Sequence, residues 1–145
     1  MVWSAPCGWR ELNYALERVK PKTIYLCDAD QLEDRLEPFI KRLGGLLKHD
    51  LNQRGGHVDI ARLSAALGQR LITARKGIEW IEAGGQIQVS EWGEDEIVIA
   101  RGDGRKSDEA DQVKSELHLL LAETAAWRAY YRRMSVEQIQ SMVQK

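Results

Sequence analysis

The order of sequence patterns between Val58 and Arg101 constrains the fold more than any other feature of this 145-residue chain. Two segments with apolar residues at helical spacing run directly into two short segments with the alternating pattern of strands. Asp59 is placed to cap the first helix, Gly84-Gly85 to end the second, and Gly93-Glu94-Asp95 to form the turn between the strands. Helix, turn, helix and hairpin in this order predict a winged helix.

The segments before this region indicate a strand, a helix and a second strand. Val2 to Pro6 has the pattern of a strand end, Gly8 to Val19 has helical spacing, and Thr23 to Cys27 has the composition of a buried strand. Such a unit is typical of a parallel sheet that other elements cover. Pro38 is expected in the first turn of the next helix, and Gly44-Gly45 inside that helix predicts close packing against a neighbour.

The last third of the chain is predicted to be helical. A long amphipathic helix runs from Glu109 to Met134, and Ser135 with Gln138 forms a capping box that begins a short final helix. The predicted fold class is therefore α+β: an N-terminal strand-helix-strand α/β piece, a central winged helix-turn-helix, and C-terminal helices that pack back. The expected divisions are residues 1–56, 57–104 and 105–145.

Charge and cysteine usage narrow the functional classes. The formal net charge is −1, so no overall positive field attracts nucleic acid. Cys7 and Cys27 fit neither a CxxC metal or redox motif nor a disulfide-rich scaffold. No apolar run approaches the roughly twenty residues that span a bilayer, and no signal-peptide pattern is present, so we expect a cytoplasmic protein without membrane contact.

The second predicted helix carries the candidate DNA-binding residues. Its outer face, which a helix-turn-helix would present to the major groove, is expected to hold Arg70, Thr73, Arg75 and Lys76. If this face binds no DNA, its cations are expected to be solvated and to pair with Glu79 and Glu82. A stand-alone winged-helix transcriptional regulator that reads DNA with this helix is therefore one hypothesis.

The charge of the module favours a different role. From His57 to Gly104 the chain has five basic and eight acidic residues, a net charge of −3. The predicted hairpin places carboxylates where the wings of DNA-binding proteins touch phosphate, at Glu91, Glu94, Asp95 and Glu96. Because phosphate neutralisation supplies most non-specific affinity for DNA, a structural or protein-docking role is favoured over duplex binding.

No catalytic or metal site is predicted. Asp28 and Asp30 follow a predicted strand, which is a common position for metal or acid–base chemistry, but such carboxylates more often cap a helix. His49, His57 and His118 lack metal-binding spacing, and the chain has no GxxxxGK[ST], GxGxxG or GxSxG motif. A small enzyme that uses Asp28 and Asp30 is the least favoured hypothesis.

A basic and aromatic cluster near the end of the long helix is a candidate partner-binding site. It consists of Arg128, Tyr130, Arg132 and Arg133. Arginine and tyrosine are favoured at interfaces, so the cluster suits an acidic, hydrophobic peptide or a stacked single strand. Packing is an equal alternative, since Tyr131 belongs to the apolar stripe and arginines can cover apolar surface while they reach solvent.

Short segments spread over most of the chain carry a family resemblance. They are Trp3-Ser4-Ala5-Pro6, Trp9-Arg10-Glu11-Leu12, Lys20 to Leu26, the apolar helix from Pro38, Arg54 to Asp59, and Glu123 to Tyr130. Together with the predicted winged-helix order, these segments resemble the C-terminal domain of the RecJ family of single-strand-specific exonucleases.

The resemblance implies a domain of a larger nuclease. The DHH and DHHA1 regions of such a parent bind manganese or magnesium and degrade single-stranded DNA from 5′ to 3′. No DHH triplet occurs in this chain, so the resemblance implies a non-catalytic part with no cofactor of its own. It also implies a role in DNA repair or recombination. The implied partners are the catalytic core of the parent, the single-stranded-DNA-binding protein and single-stranded DNA.

Overall fold

The computed structural model describes residues 2–27 and 34–143. Within these residues the chain has a mixed α and β fold with six helices, a three-stranded antiparallel sheet and a pair of parallel strands. It divides into two compact units. The central unit is Leu32–Ala122, and the flanking unit combines Met1–Gln31 with Glu123–Lys145. The mixed helix and sheet class predicted from the sequence is confirmed.

The flanking unit begins with the predicted strand, helix and strand. These are β1 (Val2–Ser4), α1 (Trp9–Val19) and β2 (Tyr25–Cys27). The two strands pair in parallel, with Val2 opposite Tyr25, so the parallel arrangement is confirmed. α1 ends at Lys20, which adopts a left-handed conformation and donates its backbone N–H to the carbonyl of Leu16.

Two helices at the C-terminal end contribute the rest of the flanking unit. They are the second half of α5 (Ala110–Arg133) and α6 (Val136–Val143). The predicted capping box is confirmed, because the backbone N–H of Ser135 donates to Gln138 Oε1 at 2.9 Å. In return the N–H of Gln138 donates to Ser135 Oγ at 3.2 Å. The core of the unit is small and buries Ala5, Leu12, Leu16 and Tyr131.

The central unit alternates helices with short strands. In order it contains α2 (Leu36–Gln53), β3 (His57–Asp59), α3 (Ile60–Leu67), α4 (Leu71–Ala83), β4 (Ile87–Trp92), β5 (Glu96–Arg101) and the first half of α5. The sheet order is β3-β5-β4, with both pairs antiparallel. β3 was not predicted, because a three-residue strand with one buried side chain carries almost no alternating pattern.

The predicted ends of the helices are confirmed in the central unit. Asp59 caps α3 by accepting the backbone N–H of Arg62 at 2.9 Å. Gly68 ends the same helix in the left-handed conformation, with φ at 63°. Pro38 lies in the first turn of α2, where its missing N–H leaves no intrahelical bond unmade.

Close packing between helices occurs at a glycine other than the predicted ones. A Cβ on Gly44 or Gly45 would meet no atom within 4 Å, so the expectation for that pair is wrong. A Cβ on Gly77 of α4 would instead lie 2.6 Å from Leu43 Cδ2 and 2.9 Å from Phe39 Cε1. The absence of a side chain at Gly77 therefore allows α4 to approach α2 at the centre of the core.

A buried ion pair joins α2 to α3. Asp50 is fully buried, and its two carboxylate oxygens accept hydrogen bonds from Nη2 of Arg62 at 2.7 and 2.8 Å. Arg54, one turn further along, brings its Nε to 3.6 Å from Oδ1 of the same carboxylate. These contacts compensate for the lost hydration of the carboxylate and fix how the two helices meet.

Candidate functional site

The side of α4 predicted to face DNA is arranged differently in the structure. Thr73 is fully buried, so its expected place on the outer face is wrong. The apolar spacing of Leu71, Ala74, Ile78 and Ile81 predicts one inner face for this helix. That prediction is confirmed for the last three residues and wrong for Leu71, which is 49% exposed next to Ile72 at 55%. The buried side is centred on Ala74, Gly77 and Ile78, which turns these two large apolar residues toward solvent.

Arg75 fastens α4 to the hairpin that β4 and β5 form. Its Nη1 and Nη2 donate to the carbonyl of Gly93 at 3.0 and 2.9 Å, and Nη1 also donates to the carbonyl of Glu94 at 3.1 Å. The guanidinium carbon lies 5.7 Å from the centre of the Trp92 ring. These hydrogen bonds and the cation–π contact hold the hairpin turn against the helix.

Lys76 is engaged on the other side of the helix. Its Nζ lies 2.7 Å from Glu116 Oε2 on α5 and 2.8 Å from Glu79 Oε2. The hydrogen bond to Glu116 is the main cause that raises the pKa of Lys76, and the same bond lowers the pKa of Glu116. The predicted pairing with Glu79 is confirmed. The predicted role of Glu82 is wrong, because its carboxylate accepts the backbone N–H of Val89 at 2.9 Å.

Arg70, the residue immediately before α4, is the third cation among the predicted DNA-binding residues. Its Nη2 donates to the carbonyl of Leu120 on α5 at 3.2 Å. The structure therefore brings Arg70, Arg75 and Lys76 together along one helix and gives each of them a partner within the chain. Thr73 lies among them in sequence but contributes no exposed group.

An open groove of about 490 Å³ lies between the start of α4 and the hairpin. We call it the hairpin groove, and it is lined by Ile60, Leu71, Arg75, Trp92, Gly93 and Glu94. The backbone N–H of Ile60 donates to the carbonyl of Asp95 at 3.0 Å and so ties the start of α3 to the hairpin turn. Sequence reasoning missed this groove, although the apolar pair Leu71-Ile72 and a tryptophan beside the turn were available signals.

Two exposed carboxylates, Glu94 and Asp95, lie in the hairpin turn at the edge of the groove, and we call them the acidic rim. Glu91 and Glu96 are also exposed, but the strand register places their side chains on the sheet face opposite Trp92 and Ile97. Glu96 lies directly opposite Asp59 in the pairing of β3 with β5, which places two like charges side by side. His57 Nδ1 lies 2.7 Å from Glu96 Oε1, and both side chains are more than half exposed.

The basic and aromatic cluster at the end of α5 divides into a buried and an exposed part. Arg128 is 3% exposed, and its Nε donates to the carbonyl of Ala5 at 3.2 Å, so the expectation that it reaches solvent is wrong. Tyr131 is also buried, which raises the pKa of its hydroxyl. Tyr130, Arg132 and Arg133 are exposed. The burial of Arg128 had a signal, because it continues the helical spacing of the buried Leu121, Thr124 and Tyr131.

The remaining sequence-based expectations concern the two aspartates Asp28 and Asp30, a metal site and a membrane-spanning helix. Asp28 and Asp30 lie outside the described residues. Over residues 2–27 and 34–143, no three histidine, cysteine or acidic side chains are grouped so that they could hold a metal ion. Within the same ranges, no helix is both long and apolar enough to cross a membrane.

Comparisons of the chain with models of protein families, with curated proteins and with solved structures found no match. The resemblance to RecJ C-terminal domains thus stays an interpretation of the sequence.

Proposed function

We propose that this chain is a non-catalytic accessory domain of a RecJ-like single-strand-specific exonuclease, and that its central unit is a winged helix used for protein docking. The sheet has the order β3-β5-β4, and α3 and α4 lie between β3 and β4 in the sequence. This topology supports the winged-helix interpretation. In this interpretation α4 is the recognition helix and the β4–β5 hairpin is the wing. The RecJ assignment is supported by the sequence segments alone.

The observation that carries the docking role is the internal engagement of the cations on α4. Arg75 holds the hairpin turn and Lys76 holds Glu116, so both would have to exchange existing partners to contact phosphate. The acidic rim would repel the same phosphates at short range. Duplex binding by this face would therefore lose much of the electrostatic term on which it depends.

The exposed apolar residues of the same face suit a protein partner instead. Leu71, Ile72 and Trp92 are each between 43% and 55% exposed. Neighbouring apolar side chains on a surface, surrounded by polar groups, are typical of protein interfaces. In the proposed function this face serves contact with another protein, such as the catalytic core of the parent nuclease.

A second surface, at the end of α5, is suited to recruitment of this chain by another protein. Tyr130, Arg132 and Arg133 remain exposed, while Arg128 of the same helix donates a hydrogen bond to the carbonyl of Ala5. An exposed tyrosine beside two arginines suits an acidic, hydrophobic tail such as that of the single-stranded-DNA-binding protein. The same group can make weak contact with single-stranded DNA by stacking and by charge.

A titration of the full chain tests the proposal. We expect saturable binding of a fluorescent acidic-tail peptide, weak and salt-sensitive binding of a single-stranded oligonucleotide, and no saturable binding of a duplex. The double variant Tyr130→Ala, Arg133→Ala should weaken peptide binding. The matched control is Tyr14→Ala, Arg10→Ala, which removes the same exposed side chains from α1. Saturable duplex binding without any peptide binding would overturn the proposed function.

The alternative, a stand-alone DNA-binding regulator, is favoured by the presence of three cations in or next to α4, which are Arg70, Arg75 and Lys76. It requires duplex affinity that falls steeply with salt, because each phosphate contact releases counterions. It also requires that Arg75→Glu combined with Lys76→Glu abolishes binding. Duplex affinity that is unchanged in this variant would exclude the helix as the reading element.

A further inference from the structure

The hairpin groove has an apolar floor that stays open to solvent. Ile60 and Leu71 line one side and Trp92 the other, and Leu71 and Trp92 remain close to half exposed. The groove is of a size to accept a large apolar side chain from outside. Water in contact with these surfaces is released when such a side chain enters.

The walls of the groove are held in place before any partner arrives. The three hydrogen bonds from Arg75 to the carbonyls of Gly93 and Glu94 fix the hairpin turn to α4. The bond from Ile60 N–H to the Asp95 carbonyl fixes the same turn to α3. A groove with fixed walls loses little conformational freedom on binding, which favours a docking role.

The charge around the groove selects the partner. In the part of the chain that the structure describes, the carboxylates of Glu94 and Asp95 make no ion pair or side-chain hydrogen bond. Arg75 is the cation that lines the groove, and its hydrogen bonds go to backbone carbonyls. The two carboxylates of the acidic rim outnumber this one cation, so the edge of the apolar floor is net negative and complements lysine or arginine that flanks an apolar anchor.

We infer that the hairpin groove docks a cationic, amphipathic segment of a partner protein. An apolar side chain of the segment enters between Leu71 and Trp92, while its lysines or arginines pair with the acidic rim. This inference rests on the proposed docking function and adds to it the surface and the chemistry of one partner. It is distinct from the acidic-tail site at Tyr130 and Arg133, which attracts the opposite charge.

The experiment uses the full chain and three short fluorescent peptides of equal length. The first is a leucine–lysine amphipathic helix, the second replaces its lysines by glutamates, and the third replaces its leucines by serines. We expect saturable binding of the leucine–lysine peptide at the groove and none of the serine–lysine peptide. Any binding of the leucine–glutamate peptide should depend on Tyr130 and Arg133 and leave the Trp92 signal unmoved. The double variant Glu94→Lys, Asp95→Lys should weaken the binding of the leucine–lysine peptide at least about tenfold, since it reverses the charge that meets the peptide.

Two further variants distinguish binding at the hairpin groove from a general effect of net charge. Glu17→Lys combined with Asp108→Lys changes the net charge equally at exposed positions outside the hairpin, and it should leave the affinity within about twofold of the unmodified chain. Leu71→Ser removes part of the apolar floor at an exposed position and should weaken binding without unfolding. In NMR spectra of the unmodified chain, the Trp92 indole N–H, assigned from Trp92→Phe, should shift as the peptide saturates.

Several results would overturn the inference. These are equal binding to the rim and control variants, equal binding of the serine–lysine peptide, an unmoved Trp92 signal, or a second copy of this chain occupying the groove. The proposed function would survive them, because the acidic-tail peptide tests a different surface. Saturable duplex binding with no peptide binding of either charge would instead overturn the proposed function itself.

Discussion

The central and flanking units differ in how their parts are held together. Every helix and strand of the central unit contributes at least one buried apolar side chain to a continuous core. The flanking unit buries Leu12, Leu16 and Tyr131 with Ala5, and surrounds them with half-buried aromatic residues such as Trp9 and Trp127. Burial of apolar area is the main source of folding stability. The larger core of the central unit should therefore contribute more stability than the core of the flanking unit.

Polar contacts supplement the small core of the flanking unit. Arg128 connects the C-terminal half of α5 to Ala5 near the start of the chain, and the box of Ser135 and Gln138 begins α6. A unit held in this way opens more readily than one with a large core. The two candidate surfaces lie on different units: the hairpin groove belongs to the unit with the larger core, and the acidic-tail site at Tyr130 and Arg133 belongs to the unit with the smaller core.

The largest predicted effect contrasts one core residue from each unit. Phe39→Ala leaves a cavity in the centre of the larger core and should lower the free energy of unfolding by about 3–5 kcal/mol. Leu12→Ala should destabilise the flanking unit and leave the central transition in place. Urea unfolding followed by hydrogen exchange of amides in each unit measures both effects. A single transition lowered equally by both variants would show that the units unfold as one.

The sequence predicted the elements of both units well where the pattern is local. Helical spacing predicted α4 and α5 nearly to their ends, and Ser135 with Gln138 predicted the start of α6. β3 escaped prediction because it exists through pairing with β5, almost forty residues away. Its sequence contributes only Val58 to the core.

The side chains of the candidate sites were predicted less well, because their partners are distant in sequence. The spacing of α4 correctly predicted that Ala74, Ile78 and Ile81 are buried. It also placed Leu71 on that face, whereas the packing of Gly77 against Phe39 fixes a buried face that leaves Leu71 exposed. Arg75 has its hydrogen-bond partners eighteen and nineteen residues further along the chain, in a turn whose conformation the sequence leaves open. The hairpin groove could not be predicted without that contact.

The next effect tests the polar support of the flanking unit. Arg128→Met keeps the length of the side chain but removes its donors, so the carbonyl of Ala5 loses its bond. We expect a loss of about 1–3 kcal/mol, confined to the flanking unit. Arg133→Met, at an exposed position on the same helix, is the matched control and should change little. Equal losses from the two variants would contradict the structural role of Arg128.

A smaller effect is expected at the start of α6. Ser135→Ala removes the hydroxyl that accepts the N–H of Gln138 and should cost about 1 kcal/mol, seen as faster hydrogen exchange in α6. Ser135→Thr retains a hydroxyl and should restore most of the protection. If Ser135→Ala leaves α6 amides as protected as before, the final helix is held by packing of Ile139 rather than by its cap.

The smallest effect lies in the central unit and depends on pH. Glu116→Gln removes the carboxylate that pairs with Lys76 and so loosens the contact between α4 and α5. Because Lys76 lowers the pKa of Glu116 below its usual value near 4.5, the stability from this pair is present above that value. It is lost as pH falls through the lowered pKa of the folded state. The pKa of Lys76 is raised above its usual value near 10.5. The stability that the charge of Lys76 contributes is therefore present below pH 10.5 and is lost as pH rises through the raised pKa.

The difference in Tm between the unmodified chain and Glu116→Gln should therefore be largest around neutral pH and shrink in acid. The core of the central unit keeps this difference small, since a half-exposed ion pair adds little to a well-packed domain. Glu17→Gln, an exposed carboxylate on α1, should give no such pH profile. A difference that persists unchanged well below pH 4.5 would mean that Glu116 acts through its shape or its hydrogen bond from Gln112, and that charge pairing with Lys76 contributes nothing.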